Sequence, residues 1–330
     1  MRSTSSSKRQ YGADRGSREE EERCVVKRQR PEKRKKHLYL MLDDWEHGYR
    51  MHKIDVDSPA LSDPRLPEPA LLQFGTPPTS QRRYGMCFSA LGSSIFATQP
   101  PDTPSLVYDT DTGGLTVGSP LPDTLRGGGP GITVSIGGKM YALYAYSTCQ
   151  PHPFEVMSWA TDTDDPSSSS SWSWKTVPSP PPYGEYREIT SYAVHPDDRT
   201  LFISVRECFV EHGGAKGTYS FDTKHCEWRW HGHWMLPFQE RQRLAASYPG
   251  IQPTLVYMGG SSFCLLEYVL PEGALFDDAS CCSSLLLLRL TIFGLKYDHK
   301  GDLRTSIHRT NASYLLSKHD RSYSPVAFWM

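Results

Sequence analysis

Two sets of side chains in this 330-residue chain have types and spacings that can do chemistry. The first is His225, Cys226, His231 and His233, interleaved with Trp228, Trp230 and Trp234. Imidazole and thiolate are ordinary zinc and copper ligands, and His231-x-His233 on a strand would turn both rings to one face. A metal centre, however, needs three or four converging donors held by a hydrogen-bonded outer shell. A solvated strand edge covered by aromatics is the simpler reading. The second set is the carboxylate pairs Asp43-Asp44, Asp164-Asp165, Asp197-Asp198 and Asp277-Asp278. Glycoside chemistry depends on the spatial gap between two carboxyls, which adjacency in sequence does not supply. Each pair falls in a polar turn, where adjacent aspartates are common.

Other chemistries lack their frames. Ser167–Ser171 and Ser283-Ser284 have no strand-to-helix elbow of the GxSxG kind, and read as loop and turn. Gly127-Gly128-Gly129-Pro130-Gly131 has neither a following Lys-Ser/Thr nor a helix to cradle phosphate, and reads as a crossover. No catalytic, metal or cofactor-binding residue is expected, and no cofactor.

Charge is distributed unevenly. The chain carries a net charge of −1, yet residues 1–37 hold 13 Lys/Arg against 6 Asp/Glu, which makes that stretch +7 and leaves −8 for the rest. Residues 1–37 have almost no apolar side chains, so burial could not offset the entropy of ordering, and a disordered tail is expected. Within it Lys27, Arg28, Arg30, Lys33, Arg34, Lys35 and Lys36 form a basic cluster suited to a nuclear import receptor. The bland alternative is a solubilising tail, so the expected location is nuclear or cytoplasmic. Nucleic acid is the less favoured partner: Tyr11 is the tail's one aromatic for stacking, and the body is acidic. The eight cysteines show no CxxC spacing and no secretion signal opens the chain, so they read as buried or free thiols in a reducing compartment. On that reading the Asn311-Ala312-Ser313 sequon stays unused. The Leu285–Leu288 run is far shorter than the ~20 apolar residues of a membrane span, and no membrane partner is expected.

These residues must be held by something, and the sequence describes it through repetition. Apolar strands end in Asp55, Asp109, Asp162, Asp222 and Asp298, at intervals of 54, 53, 60 and 76 residues. That approaches the roughly 50-residue period of kelch-type blades. The aspartates are expected to cap turns through backbone N–H groups, the tryptophans that follow to pack between blades, and the prolines to stop strands. Before each later aspartate stands a hairpin around Gly92-Ser93-Ser94, Gly137-Gly138-Lys139, His195–Arg199 or Gly259–Ser262, read as inner blade strands. The expected fold class is all-β: a kelch-like β-propeller over 38–330 of about five to six blades, with room for one incomplete blade, after the 1–37 tail.

The phrases Leu40-Met41-Leu42-Asp43-Asp44-Trp45-Glu46-His47-Gly48-Tyr49, Ser191–Asp197, Leu255–Gly259 and Thr291–Asp298 resemble a plant, grass-expanded domain-of-unknown-function family of kelch/galactose-oxidase-like propellers. The resemblance implies a propeller and no assigned chemistry, so it transfers no functional residues. Nothing in the chain is specific to the copper radical site of galactose oxidase. The resemblance also implies a further strand-rich segment between Phe238 and Leu255, where this chain has 16 residues, and so places ring closure in question. No F-box precedes the repeats, because residues 1–37 contain no leucine.

The function expected on these grounds is a non-catalytic protein-interaction scaffold that binds through loops on one propeller face. Trp45, His152, Tyr183 and Tyr186 lie in predicted loops and are its candidate anchors. The alternative is a propeller enzyme, either a metal-dependent oxidase or a carbohydrate-active hydrolase.

Overall fold

The structure, a computed structural model, describes residues 35–44, 48–58, 63–75, 86–99, 103–125, 131–144, 146–147, 151–160, 171–208, 214–236, 253–269, 286–316 and 325–330. The chain divides into Met1–Lys35 and Lys36–Met330. In the first unit only Lys35 is described, and it is exposed. Apart from Lys35 and Lys36, the basic cluster lies outside the described residues, as does Trp45.

The second unit is a five-bladed β-propeller among the described residues. Blade 1 contains β1 (Leu38–Asp44), β2 (Gly48–Ile54) and β3 (Leu72–Phe74). Blade 2 contains β4 (Cys87–Leu91), β5 (Ser94–Thr98), β6 (Ser105–Asp109) and β7 (Leu115–Gly118). Blade 3 uses β8 (Ile132–Ile136), β9 (Lys139–Leu143), β11 (Phe154–Ala160) and β12 (Ser171–Thr176). The short β10 (Tyr146–Ser147) crosses to blade 4, where it joins β13 (Arg187–Val194), β14 (Thr200–Glu207), β15 (Lys216–Asp222) and β16 (Glu227–Gly232). Blade 5 contains β17 (Thr254–Gly259), β18 (Ser262–Val269), β19 (Leu286–Tyr297) and β20 (Leu303–Leu316). The last strand, β21 (Val326–Trp329), returns to blade 1 and pairs with β1, Leu38 against Trp329 and Met41 against Val326. His37 and Met330 exchange two backbone hydrogen bonds beside this pairing. The inner strand of blade 1 therefore comes from the far end of the chain, and the predicted Leu38/Tyr49 hairpin supplies the second and third strands.

Packing explains why β1 is apolar from Leu38 to Leu42. Leu38, Leu40 and Leu42 enter one buried cluster with blade 5, while Tyr39 and Met41 enter another with blade 2. A strand with both faces covered has no polar alternation to show. Blades 2 and 3 meet through Leu91, Phe96, Val107, Met140 and Met157, and blades 3 and 4 through a larger cluster that includes Phe154, Leu201 and Phe221. Between blades 4 and 5 no comparable buried apolar cluster forms among the described residues.

The repeat aspartates do cap turns. Asp55, Asp109, Asp222 and Asp298 each accept the backbone N–H two residues on, at 2.8–3.0 Å. Asp162 lies outside the described residues. Asp109 and Asp222 stand opposite the first residue of the blade's second strand, Ser94 and Thr200. Asp298 does not: Gly294 fills that register position against Ser262, and the β19–β20 hairpin continues past it. The 76-residue last interval thus contains a hairpin extension of four residues as well as the junction before β17.

Candidate functional site

In an antiparallel four-stranded blade, the turns joining strands one to two and three to four share one end, and the remaining connections share the other. The aspartate turns occupy the first end. His152, Tyr183 and Tyr186 belong to connections at the second, around the entrance to β13. Their surroundings differ sharply.

His152 and Tyr183 are each 4% exposed. The His152 Nε2 lies 3.0 Å from the Gly184 carbonyl, and its ring packs on Tyr183 at a centroid distance of 4.8 Å. Tyr183 also meets Tyr219 and Trp228, at 5.9 and 6.4 Å. Burial pushes its hydroxyl well above the usual tyrosine range, with Tyr219 adding to the shift. The two connections that carry them meet at the layer between blades 3 and 4, and in the structure both rings act as packing.

Tyr186 is the surface residue of this group, 47% exposed. Its backbone occupies the left-handed region at φ 57°, which costs a non-glycine residue about 1 kcal/mol or more. The Cys208 N–H donates to its carbonyl at 2.8 Å and fixes that conformation. Beside it, Arg187 approaches Glu207 at 3.7 Å and donates to the Ala215 carbonyl. Behind it, Arg206 and the largely buried Glu188 form an ion pair at 2.7 Å. The result is an exposed aromatic on a braced loop, flanked by a partly exposed ion pair.

The imidazoles of blade 4 do not converge. Among the described residues no group of three or more His, Cys, Asp or Glu is placed to hold a metal ion. His225 Nδ1 pairs with Asp222 at 3.0 Å, His231 Nε2 with Ser220 at 2.8 Å, and His233 Nδ1 with the Lys216 carbonyl at 3.1 Å. The expectation that His231 and His233 share a face fails because the register shifts: Thr218 pairs with Gly232, but Tyr219 pairs with Trp230. Gly232, at φ 114°, makes the bulge, and a bulge breaks side-chain alternation. Close by, Trp230 lies across Gly217, where an added Cβ would come within 1.8 Å of the indole. Trp172 and Trp228 pack between blades as expected: Trp172 meets Phe96 at 5.3 Å, and Trp228 meets Phe154 at 5.6 Å while donating to the Ser179 carbonyl.

Asp197 is a turn cap too. It accepts the backbone N–H groups of Arg199 and Thr200 at 2.9 and 3.0 Å. Desolvation is the largest single influence on its carboxyl and acts upward, but these bonds, with those from the Thr200 hydroxyl and His195, together hold it well below the usual range.

Strand order and blade count define the class: an all-β, five-bladed propeller whose first blade is completed by its last strand. Residues 35–244 match the family described as "Protein of unknown function (DUF1668)", and the chain belongs to that family. No curated protein matches it. Among solved structures it is similar to a putative 6-phosphogluconolactonase from Bacteroides fragilis, at 12% identity over 82% of this chain and 81% of the other, TM-score 0.34. YjhT gives 12% identity over 72% and 82%, TM-score 0.33. Hsv2 of Kluyveromyces lactis gives 9% over 82% and 98%, TM-score 0.28.

Proposed function

We propose that this protein is a non-catalytic interaction scaffold of the kelch-like kind that binds a protein partner at the end of the propeller where Tyr186 emerges. The observation that supports this is Tyr186 itself. An aromatic ring exposed on a strained but braced loop is pre-organised, so binding need not order it, and tyrosine is enriched among residues that dominate interfaces. The Arg187–Glu207 pair beside it would supply a polar rim. On this reading the basic cluster from Lys27 to Lys36 serves separately, as a nuclear import signal in a plant protein.

The test is quantitative affinity capture with the full chain, comparing wild type with Tyr186→Ala and with Leu115→Ala on blade 2. A partner retained by wild type and by Leu115→Ala but reduced about tenfold or more by Tyr186→Ala supports the reading. Equal capture by all three overturns it. Fusing residues 1–37 to a cytosolic reporter tests the signal: nuclear accumulation is expected, and a reporter that stays cytosolic removes it.

A further inference from the structure

The two faces of blade 5 are covered very differently. Toward blade 1, Cys264, Leu266, Leu288 and Leu290 are at most 1% exposed. The opposite face is apolar over much of its area: Leu255, Tyr257, Phe263, Leu265, Phe293 and Leu315 alternate with the buried set along β17 to β20, and none is fully buried, while Glu267, Arg289, Thr291 and Ser313 share the face. Leu255, Tyr257 and Leu315 are 58%, 60% and 45% exposed. Tyr257, Phe263 and Phe293 form a cross-strand aromatic ladder, with centroids 5.4 and 5.8 Å apart.

Blade 4 cannot satisfy this face. On the side away from its cluster with blade 3 it carries Phe202 together with Ser191, Ser204, Thr218 and Ser220, and the four hydroxyl residues are at most 7% exposed. These hydroxyls are largely engaged close to home. Ser204 Oγ lies 2.8 Å from Thr218 Oγ1 and accepts the Leu236 N–H at 2.9 Å, and Thr218 Oγ1 donates to the Trp234 carbonyl. The bonds of Ser204 and Thr218 hold the Trp234–Leu236 stretch over blade 4's own side, and the exposure of Leu255, Tyr257 and Leu315 shows that blade 4 leaves the ladder uncovered.

The charges on the ladder face indicate what does cover it. Glu267 and Arg289 are register partners there, and neither joins an ion pair among the described residues. One acid and one base side by side on an apolar field is a self-complementary arrangement. A twofold axis through the face would bring Glu267 of each copy to Arg289 of the other and ladder against ladder, as an isologous contact requires. We infer that the full-length protein forms a twofold homodimer through the open face of blade 5. This surface is distinct from the Tyr186 end, so each can fail without the other.

Sedimentation velocity on the full chain at about 1 to 100 µM tests it. Wild type is expected to sediment at twice the 37.3 kDa chain mass in the upper part of that range. Tyr257→Lys enters a twofold contact twice and should weaken the dimer by about 100-fold or more, while Leu115→Lys, at an exposed site on blade 2, leaves it intact. Thermal unfolding checks that Tyr257→Lys still folds, and Leu255→Lys substitutes if it does not. A wild-type monomer throughout overturns the inference, which is also the outcome if another protein covers the face. So does equal dissociation by Leu115→Lys, because that places the contact elsewhere.

Discussion

If the blades are held by the apolar layers between them, truncating one well-chosen ring should loosen the propeller by a predictable amount. Phe221 is fully buried, with ring centroids 4.9 Å from both Phe154 and Trp228 and 6.1 Å from Tyr141, so it joins blade 3 to blade 4. Phe→Ala in such a site costs about 3–5 kcal/mol through lost transfer and a residual cavity. The three aromatic contacts each add about 0.5–1.5 kcal/mol beyond area, which places Phe221→Ala at the upper end. Phe221→Leu keeps most of the buried volume and should cost about 1.5 kcal/mol. Urea unfolding followed by tryptophan fluorescence reads both, because Trp228 sits against the mutated ring, and m should not change. In thermal melts the alanine variant should lose roughly 8–15 °C, at about 2–4 °C per kcal/mol for a domain somewhat smaller than this one. An alanine cost below about 1.5 kcal/mol would refute the reasoning, since it would mean that blades 3 and 4 do not pack through this ring.

Acid should destabilise the protein in two steps. His52 is buried with its pKa lowered, chiefly by desolvation, so stability declines as pH falls below about 6.5, where the unfolded chain takes up the proton first. Asp109, Asp222 and Asp298 are held below their usual range by the Asp111 N–H, the His225 side chain and the Arg304 side chain respectively. Their contribution is complete above about pH 4 and disappears as pH falls through the lowered folded values, so the urea midpoints of wild type and a triple Asp→Asn variant should converge toward pH 2. Cys264 is fully buried, which pushes its thiol up to about 12, so iodoacetamide at neutral pH should label Cys208 and Cys226 well before Cys264, and Cys264 only on unfolding. Deleting residues 325–330 strips β1 of its inner partner and should abolish cooperative unfolding; a deletion variant that melts within about 3 °C of wild type would show that β21 contributes little.

The sequence disclosed whatever depended on local pattern. Gly-Gly and Gly-Ser turns placed the inner hairpins within a residue or two, and the aspartate turns were visible because their capping bonds span only two residues. What escaped was long-range or depended on register. Val326–Trp329 is too short a run to announce that it completes a blade begun at Leu38. The shift at Gly232 sits in an unremarkable Trp-His-Gly-His stretch, and it alone decides that His231 and His233 diverge. His152 and Tyr183 read as loop aromatics and do lie in connections, yet both are buried, because a propeller uses such connections to seal the layers between blades. Tyr186 was legible as a loop aromatic, but its left-handed backbone was not, since no glycine or asparagine marks the position. The uneven last interval did signal irregularity. Its structural content is an extended hairpin together with a bare blade face.

The pairing of Leu38–Met41 with Val326–Trp329 also constrains how the protein can be made. During synthesis the Leu38–Met41 edge of β1 waits, unpaired and apolar, until Val326–Trp329 has been made. Non-local pairings of this kind are formed slowly and late, and exposed strand edges invite aggregation in the interval. A ribosome that stalls anywhere before Val326 therefore releases a chain whose first blade cannot be completed, however well the four later sheets are formed. Chaperone capture of nascent chains should accordingly persist until the final strand has cleared the exit tunnel.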